Sequence, residues 1–395
     1  MSFEIALSGI NAVNTQLDSI SNNIANSGTY GFKSSRTNFA SMYAGTQATG
    51  TEVGSTTQSI DIGGSVTTTG RGMDAAIQGR GFFVVRDASG QQLYTRVGIF
   101  STDKDGYVVD SVGRKVQGYG AVAGSSVLGA MGDLKVPTGQ VAAVASDRLQ
   151  YVANMSADWS TPTSPTFDKT DPLSFNSSTV SVVYDSLGVQ HSVTQYFVKT
   201  GTSQVTAHYT FDGADLPTTT VLNFDTGGQL ISPTGAVPLA LGTPNGAAAL
   251  SINLDYTGTT QFAGEATTTT NSANGYASGT MTGVQIANDG SVMAQYSNGQ
   301  KQRVGTLALA TFPDEGALTP VSDTSWAVSN ASGSPLYFAP GTGMAGSLTS
   351  GALEQSNVDM TSELVDLMSA QRNYQANTKV ITAEDEMMKT LMQAT

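Results

Sequence analysis

Apolar side chains recur at helical spacing at the two ends of this chain. Near the start, Phe3, Ile10, Leu17 and Ile24 fall on every seventh position, flanked by Leu7, Val13 and Ile20. Near the end, Met360, Leu367, Tyr374, Ile381 and Met388 do the same, flanked by Leu364 and Leu391. An unbroken seven-residue apolar line marks a narrow coiled-coil seam, so the pattern predicts two terminal helices. Ser2 can cap the first, with Glu4 in its first turn, and Gly28 stands where a left-handed C-cap is expected. Ser356 and Asp359 have capping-box spacing at the start of the second, with Asp in place of Glu. At 1.5 Å per residue the two helices would be roughly 37 Å and 55 Å long.

Between the helices the chain reads as strand and turn. The stretch "GFFVVRDASGQQLYTRVGIF", 81–100, is two β-rich runs joined at Asp87–Gly90. A Pro/Ser/Thr-rich connection, 157–175, leads to a fresh β segment with turns at Asp185–Gly188 and Lys199–Ser203. After a second low-complexity joint, 264–279, strands resume around Asp289-Gly290 and Asn298-Gly299. The expected fold is therefore multidomain and mainly β with α-helical termini. Residues 1–30 and 356–395 form a paired helical unit, and 31–70, rich in Thr, Ser and Gly, form an extended linker. Residues 71–145 and 284–355 form a discontinuous β domain, into which a second β domain, 146–283, is inserted.

The polar face of the first helix changes this picture. From Met1 to Phe32 the only charged side chains are Glu4 and Asp18; Asn11, Asn14, Thr15, Gln16, Ser19, Asn22, Asn23 and Asn26 stand where a wet helix carries Lys or Glu. Such groups can hydrogen-bond to protein without the desolvation cost of an ion. The second helix carries Glu363, Asp366, Arg372, Lys379, Glu384 and Lys389, as a helix with one wet face does. Two readings compete. In one the ends form an antiparallel pair within a monomer, leaving the uncharged face in water. In the other they also pack against further copies of the chain, and a head-to-tail contact that does not close gives a helical polymer. A lone two-helix pair is marginal without further burial, which favours the second.

Composition removes most other chemistry. The 395 residues include 44 Gly and no Cys, and the net charge is −13. Disulfides, thiolate catalysis and Cys-metal sites are excluded. Without a Lys/Arg cluster, nucleic acid and anionic lipid are unexpected partners. No apolar run approaches the ~20 residues of a membrane span, and the opening residues lack a basic stretch followed by an apolar core. The expectation is a protein that is either cytosolic or exported by a route that reads no cleavable signal. "GTGMAG", 341–346, lacks the strand and helix of a dinucleotide site, and "DKDG", 103–106, lacks the closing Glu of a calcium loop; both read as turns. His191 and His208 lie on adjacent expected strands, with no thiol or carboxylate evident beside them for a metal site. No catalytic, cofactor-binding or metal-binding residues are identified.

"ALSGINAVNTQLDSISNNIANSGTYGFKSSR" and "GALEQSNVDMTSELVDLMSAQRNYQANTKVITAEDEMMKTLMQ" resemble the N- and C-terminal signatures of the bacterial flagellar rod, hook and hook-associated protein family. "GRGMDAAIQGRGFFVVRD", "YTRVGIFSTDKDGYVVDSVGRKVQGY", "VYDSLGVQHSVTQYFVKT" and "DGSVMAQYSNGQKQRVGTLALATF" are similar to the hook branch, so the likeness runs almost end to end. An Asp after Phe-Pro in "ATFPDEGAL", where the family more often shows an Asn after Phe, touches only a loop. The resemblance implies a structural subunit, not an enzyme, that polymerises into a curved hollow tube and acts as a universal joint between rod and filament. It implies that the paired helices form the inner tube and that 146–283 lies outermost. Implied partners are other copies, a hook cap protein, the distal rod protein, the first hook–filament junction protein and the flagellar type III export apparatus, with an extracellular location in the flagellum. It also assigns assembly roles to signature positions beyond the seams: Asn22, Asn23, Asn26, Gly31, Phe32, Leu353, Glu354, Asn357, Val358, Gln371 and Arg372. A distal rod-type axial protein is the nearest alternative, and a secreted β-domain adhesin a more distant one.

Overall fold

The computed structural model describes residues 2–122 and 127–394. The Ser2 side chain, expected to cap the first helix, lies outside the described residues. Contacts divide the chain into two units: Met1–Thr138, Gly283–Gln295 and Lys301–Thr395 form one, and Gly139–Thr282 with Tyr296–Gln300 the other. The second unit starts earlier than residue 146 because Val141 bridges Gly279 and Val144 bridges Tyr276, tying the entering strand to the leaving one.

In the first unit, helix α1 spans Ser2–Ala25 and α2 spans Met360–Ala394. Two termini differ from expectation. The left-handed residue after α1 is Gly31, at φ 68, not Gly28. An added Cβ at Gly31 would lie 3.0 Å from the Arg96 carbonyl carbon, so only glycine fits both the torsion and the space. Asp359 alone caps α2, its Oδ1 accepting from the N–H groups of Thr361 and Ser362 at 2.9 and 3.3 Å.

Residues 31–70 are not simply an extended linker. Strands β1 (Ser35–Ala44) and β2 (Gln47–Gln58) pair antiparallel in a long hairpin, with register shifts at Asn38/Phe39 and Met42/Tyr43. Their Thr-, Ser- and Gly-rich sequence hides the pairing because it shows no apolar alternation. Trp326 Nε1–H donates to Gln58 Oε1 at 2.9 Å, fastening the base of the hairpin to the β core. That core packs Phe82, Val84, Tyr94, Phe312 and Trp326 with Ile60; Tyr94 meets Phe312 edge-on at 4.8 Å. Its sheet joins both halves of the discontinuous domain, since Lys301–Leu307 pairs with Lys115–Ala121, which in turn pairs with Phe82–Arg86.

The second unit has two sheets. Five antiparallel strands run in chain order from Ser177–Tyr184 to Leu230–Ser232. Four more lie in the order Val237–Gly242, Leu250–Asp255, Arg148–Asn154, Thr267–Ala273, the middle pair parallel. Alternate residues Val193, Phe197, Val205, Tyr209 and Leu222 of the first sheet pack with Leu149, Tyr151, Ile252 and Tyr256 of the second.

One turn recurs in both units. In Asp103–Gly106, Asp110–Gly113, Asp185–Gly188 and Asp225–Gly228, the Asp Oδ1 accepts from the N–H groups two and four residues on. The glycine three residues on has φ between 75 and 91. The Asp103 oxygen is thereby committed to its own backbone, which accounts for "DKDG" as a turn.

The histidines are separate, not opposed. His208 stacks on Phe167 at 4.2 Å. His191, only 5% exposed, lies between two carboxylates: Nδ1 is 2.6 Å from Asp212 Oδ2 and Nε2 is 3.2 Å from Asp185 Oδ2. Carboxylates thus do stand beside His191, but on opposite edges of the ring, so the three groups cannot converge on one ion. Burial pushes the imidazole pKa down, yet Asp212 and Asp185 outweigh it and hold the value above 6.5. Burial pushes both carboxyls up, but backbone N–H donors and His191 bring them below their ordinary value. A raised histidine stabilises below its ordinary pKa and loses that contribution as pH rises through the folded value. The lowered carboxylates stabilise above their ordinary pKa and lose it on acidification. The sandwich should therefore be most stable between about pH 4 and 6.5. Denaturant unfolding from pH 6 to 9 should show falling stability, and His191→Gln should flatten that fall.

Candidate assembly site

The two helices run antiparallel. Asn23 Nδ2 donates to Glu363 Oε1 at 2.9 Å, and fourteen residues earlier Gly9 lies against Asn377. The side chains that close the seam are Val13, Ile20 and Ala370, with Leu17, Ile24 and Leu367 packed around them. On α1 the deepest line is thus Ala6–Val13–Ile20, all buried, and not Phe3–Ile10–Leu17–Ile24. Ile10, Leu17 and Ile24 are half-buried, and Phe3 and Leu7 are exposed. On α2 only Leu367 and Ile381 of the expected line are half-buried. Met360, Leu364, Tyr374, Met388 and Leu391 are exposed, as are Gln371 and Arg372.

The hairpin answers part of the question posed by the uncharged face. Ser8, Thr15, Ser19 and Asn23 form one stripe of α1, and β1–β2 lies on it. Ser8 Oγ accepts from Thr51 N–H at 3.2 Å, and Ser19 Oγ meets Thr37 Oγ1 at 2.8 Å. Asn23 Oδ1 accepts from Ser35 N–H and its Nδ2 donates to Ser35 O, both at 2.9 Å. Asn23 also touches Glu363, whose carboxyl is pushed up by burial and by Asp366 and Asp359, against the pull of the Asn23 amide. Asn22 and Asn26 serve the helix end: Asn26 Nδ2 donates to Asn22 O and Oδ1. Asn11, Asn14, Ser21 and Asn22 remain exposed.

Beyond the helices, the two signatures meet at a buried ionic junction. Glu354 Oε1 accepts from Lys33 Nζ at 2.6 Å and from Gly64 N–H at 3.0 Å; Oε2 lies 3.3 Å from Arg96 Nη1. All three side chains are at most 2% exposed. Burial pulls the Lys33 ammonium and the Arg96 guanidinium down, and Glu354 opposes this in both. Lys33 Nζ also donates to Ile62 O at 2.7 Å, and Arg96 Nη2 to Gly79 O at 2.8 Å. Gly31 N–H donates to Glu354 O at 2.8 Å. Asn357 accepts from Ser34 N–H at 2.7 Å and donates to Ser59 O at 2.9 Å, while its own N–H reaches Phe32 O at 3.4 Å.

Gly31, Leu353 and Glu354 are buried here, and Phe32, Asn357 and Val358 partly so. These positions bind the ends of one chain to its β domain. Lys33 and Arg96 are essential to the junction and escaped sequence reasoning, because a lone Lys after "YGF" and a lone Arg after "YT" carry no pattern.

Family models match in the same places: "Flagella basal body rod protein" over 3–33, "Flagellar hook protein FlgE/F/G D1 domain" over 76–148, "Flagellar basal body protein FlaE D2 domain" over 154–276 and "Flagellar basal body rod FlgEFG protein C-terminal" over 349–394. The chain is 39% identical to the flagellar hook protein FlgE of Salmonella typhimurium, with 99% of each chain covered. It is 37% identical to that of Escherichia coli, again over 99% of each, and 34% identical to that of Brucella suis, over 98% and 96%. A crystal structure of Helicobacter pylori flagellar hook protein FlgE2 aligns with TM-score 0.52 at 13% identity, covering 71% of this chain and 98% of that one, a likeness of fold. With terminal helices, junction and both β units all matched along the full length, the chain belongs to the flagellar hook protein FlgE family, whose members are structural subunits of a flagellar polymer and not enzymes.

Proposed function

We propose that this subunit polymerises through its paired ends into the curved hollow hook and carries torque from rod to filament as a universal joint. The carrying observation is the apolar surface that one chain leaves open: Met360, Leu364, Val365, Met368 and Val380 on α2, with Phe3, Ile5 and Leu7 on α1, are all at least 40% exposed. So much exposed apolar surface on two helices is what a neighbour's helices would cover. Gln371, Arg372, Lys379, Asp385 and Glu386 keep α2 wet on the rest of its surface, as suits a helix facing a central channel. The hook cap protein, distal rod protein, first hook–filament junction protein and type III export apparatus are the partners this role entails. Concentrated protein in a kosmotropic salt, which strengthens apolar burial, should form hollow tubes by electron microscopy. Dispersed monomers under all such conditions would overturn the reading.

A further inference from the structure

Helix α2 outruns its partner. Extending the register set by Asn23–Glu363 and Gly9–Asn377 brings the start of α1 level with Glu384. The rest of α2, about ten residues or ~15 Å, continues past it. The seven-residue apolar line of α2 continues too, from half-buried Ile381 to Met388, and Met387 and Met388 are 60% and 59% exposed.

Elsewhere on the subunit is a hollow of about 530 Å³. Ile5, Ala12, Phe39, Ala48 and Ala376 make its lining mainly apolar, Gln16, Thr51, Asn373 and Asn377 add uncharged polar groups, and among the described residues no charged one lines it. The space exists because small residues stand where three elements meet. Gly9 admits Asn377 against α1, and Gly50, at φ 131, admits Ser8 against the hairpin.

Resting on the polymer reading, we infer that Met388 of one subunit seats in this hollow of the next copy. An unbranched thioether suits an irregular apolar hole, and it enters as a coiled-coil knob does. The contact cannot form within one chain. Met388 and the hollow's Asn373–Asn377 wall lie on the same continuous helix, ~16 Å or more apart. Knob and hole are therefore different surfaces of one subunit, a heterologous pair of the kind that adds copies head to tail.

The natural chain has no cysteine, so an introduced pair reports the contact directly. Under mild oxidation, tubes of Met388→Cys/Ala48→Cys should give a reducible ladder of covalent oligomers. An equimolar mixture of the two single variants should give mixed dimers, whereas each alone should not. Tubes with no ladder and no mixed dimer overturn the inference and leave the polymer reading standing; absence of tubes from the unmodified chain overturns both. If the double variant fails to assemble, the mixture, with single substitutions at lower strain, decides. Met388→Asp should also raise the concentration needed for assembly at least about tenfold, since a carboxylate would enter a mainly apolar hollow that holds no cation to pair with it.

Discussion

Glu354→Ala is expected to destabilise the subunit by about 3–5 kcal/mol, the usual consequence of removing one partner from a buried ionic cluster. Lys33 and Arg96 would keep their charges in a site at most 2% exposed, hydrogen-bonded to the carbonyls of Ile62 and Gly79 and with only the more remote Asp61 and Glu315 carboxylates to offset them. Gly64 N–H would lose its acceptor as well. A typical domain has 5–15 kcal/mol in total, so the loss would show as a lowered denaturant midpoint and as early proteolysis of 1–70 and 355–395. Glu354→Gln keeps one oxygen for Lys33 and Gly64 and should lose less. Adding Lys33→Met to Glu354→Ala should recover part of the loss, because one stranded charge is then gone. Equal stability of Glu354→Ala and the natural chain would show that the junction contributes nothing net.

The second large effect concerns α1. Ile20→Asp places an unpaired carboxylate against Val13, Ala370 and Leu367, at several kcal/mol, and should separate the helices and abolish tubes. Asn14→Asp asks a sharper question, because Asn14 is exposed in the subunit. Its effect on the unfolding of the free chain should stay within about ±0.5 kcal/mol. If neighbours enclose the remaining asparagine face, the same change should nonetheless suppress polymerisation, read by sedimentation and electron microscopy. Normal tubes from Asn14→Asp would mean that this face is wet in the polymer. Thr15, by contrast, is no probe of an outer surface, since it is half-buried and Thr37 Oγ1 approaches its carbonyl at 3.5 Å.

What could be read from residues alone follows the range of the interactions. Helices with seven-residue lines and the Asp-x-x-Gly turns are local, and both were legible in sequence. The choice between two parallel lines on α1 was not, because Ala6 looks neutral until a partner covers it. The β1–β2 hairpin escaped for a different reason: it packs polar groups on a polar stripe, and period-two apolarity is the signal that reveals strands. The His191 clasp draws its carboxylates from Asp185, which pattern reading assigns only to chain reversal, and from Asp212, to which it assigns nothing. Most remote is the ionic junction, whose members have meaning only as a trio.

That junction also sets an order of events. Lys33 and Glu354 are separated by 321 residues, so a chain cut short before residue 354 cannot close it. The hairpin can already lie on α1 within the first 58 residues, but the seam that α1 shares with α2 stays open until the last segment of the chain is present. Contacts of such long range form late, after local turns and the sandwich have found their own pairings. On the proposed polymer role, competence to join becomes a property of completed chains, and truncated ones should be left out of the growing tube.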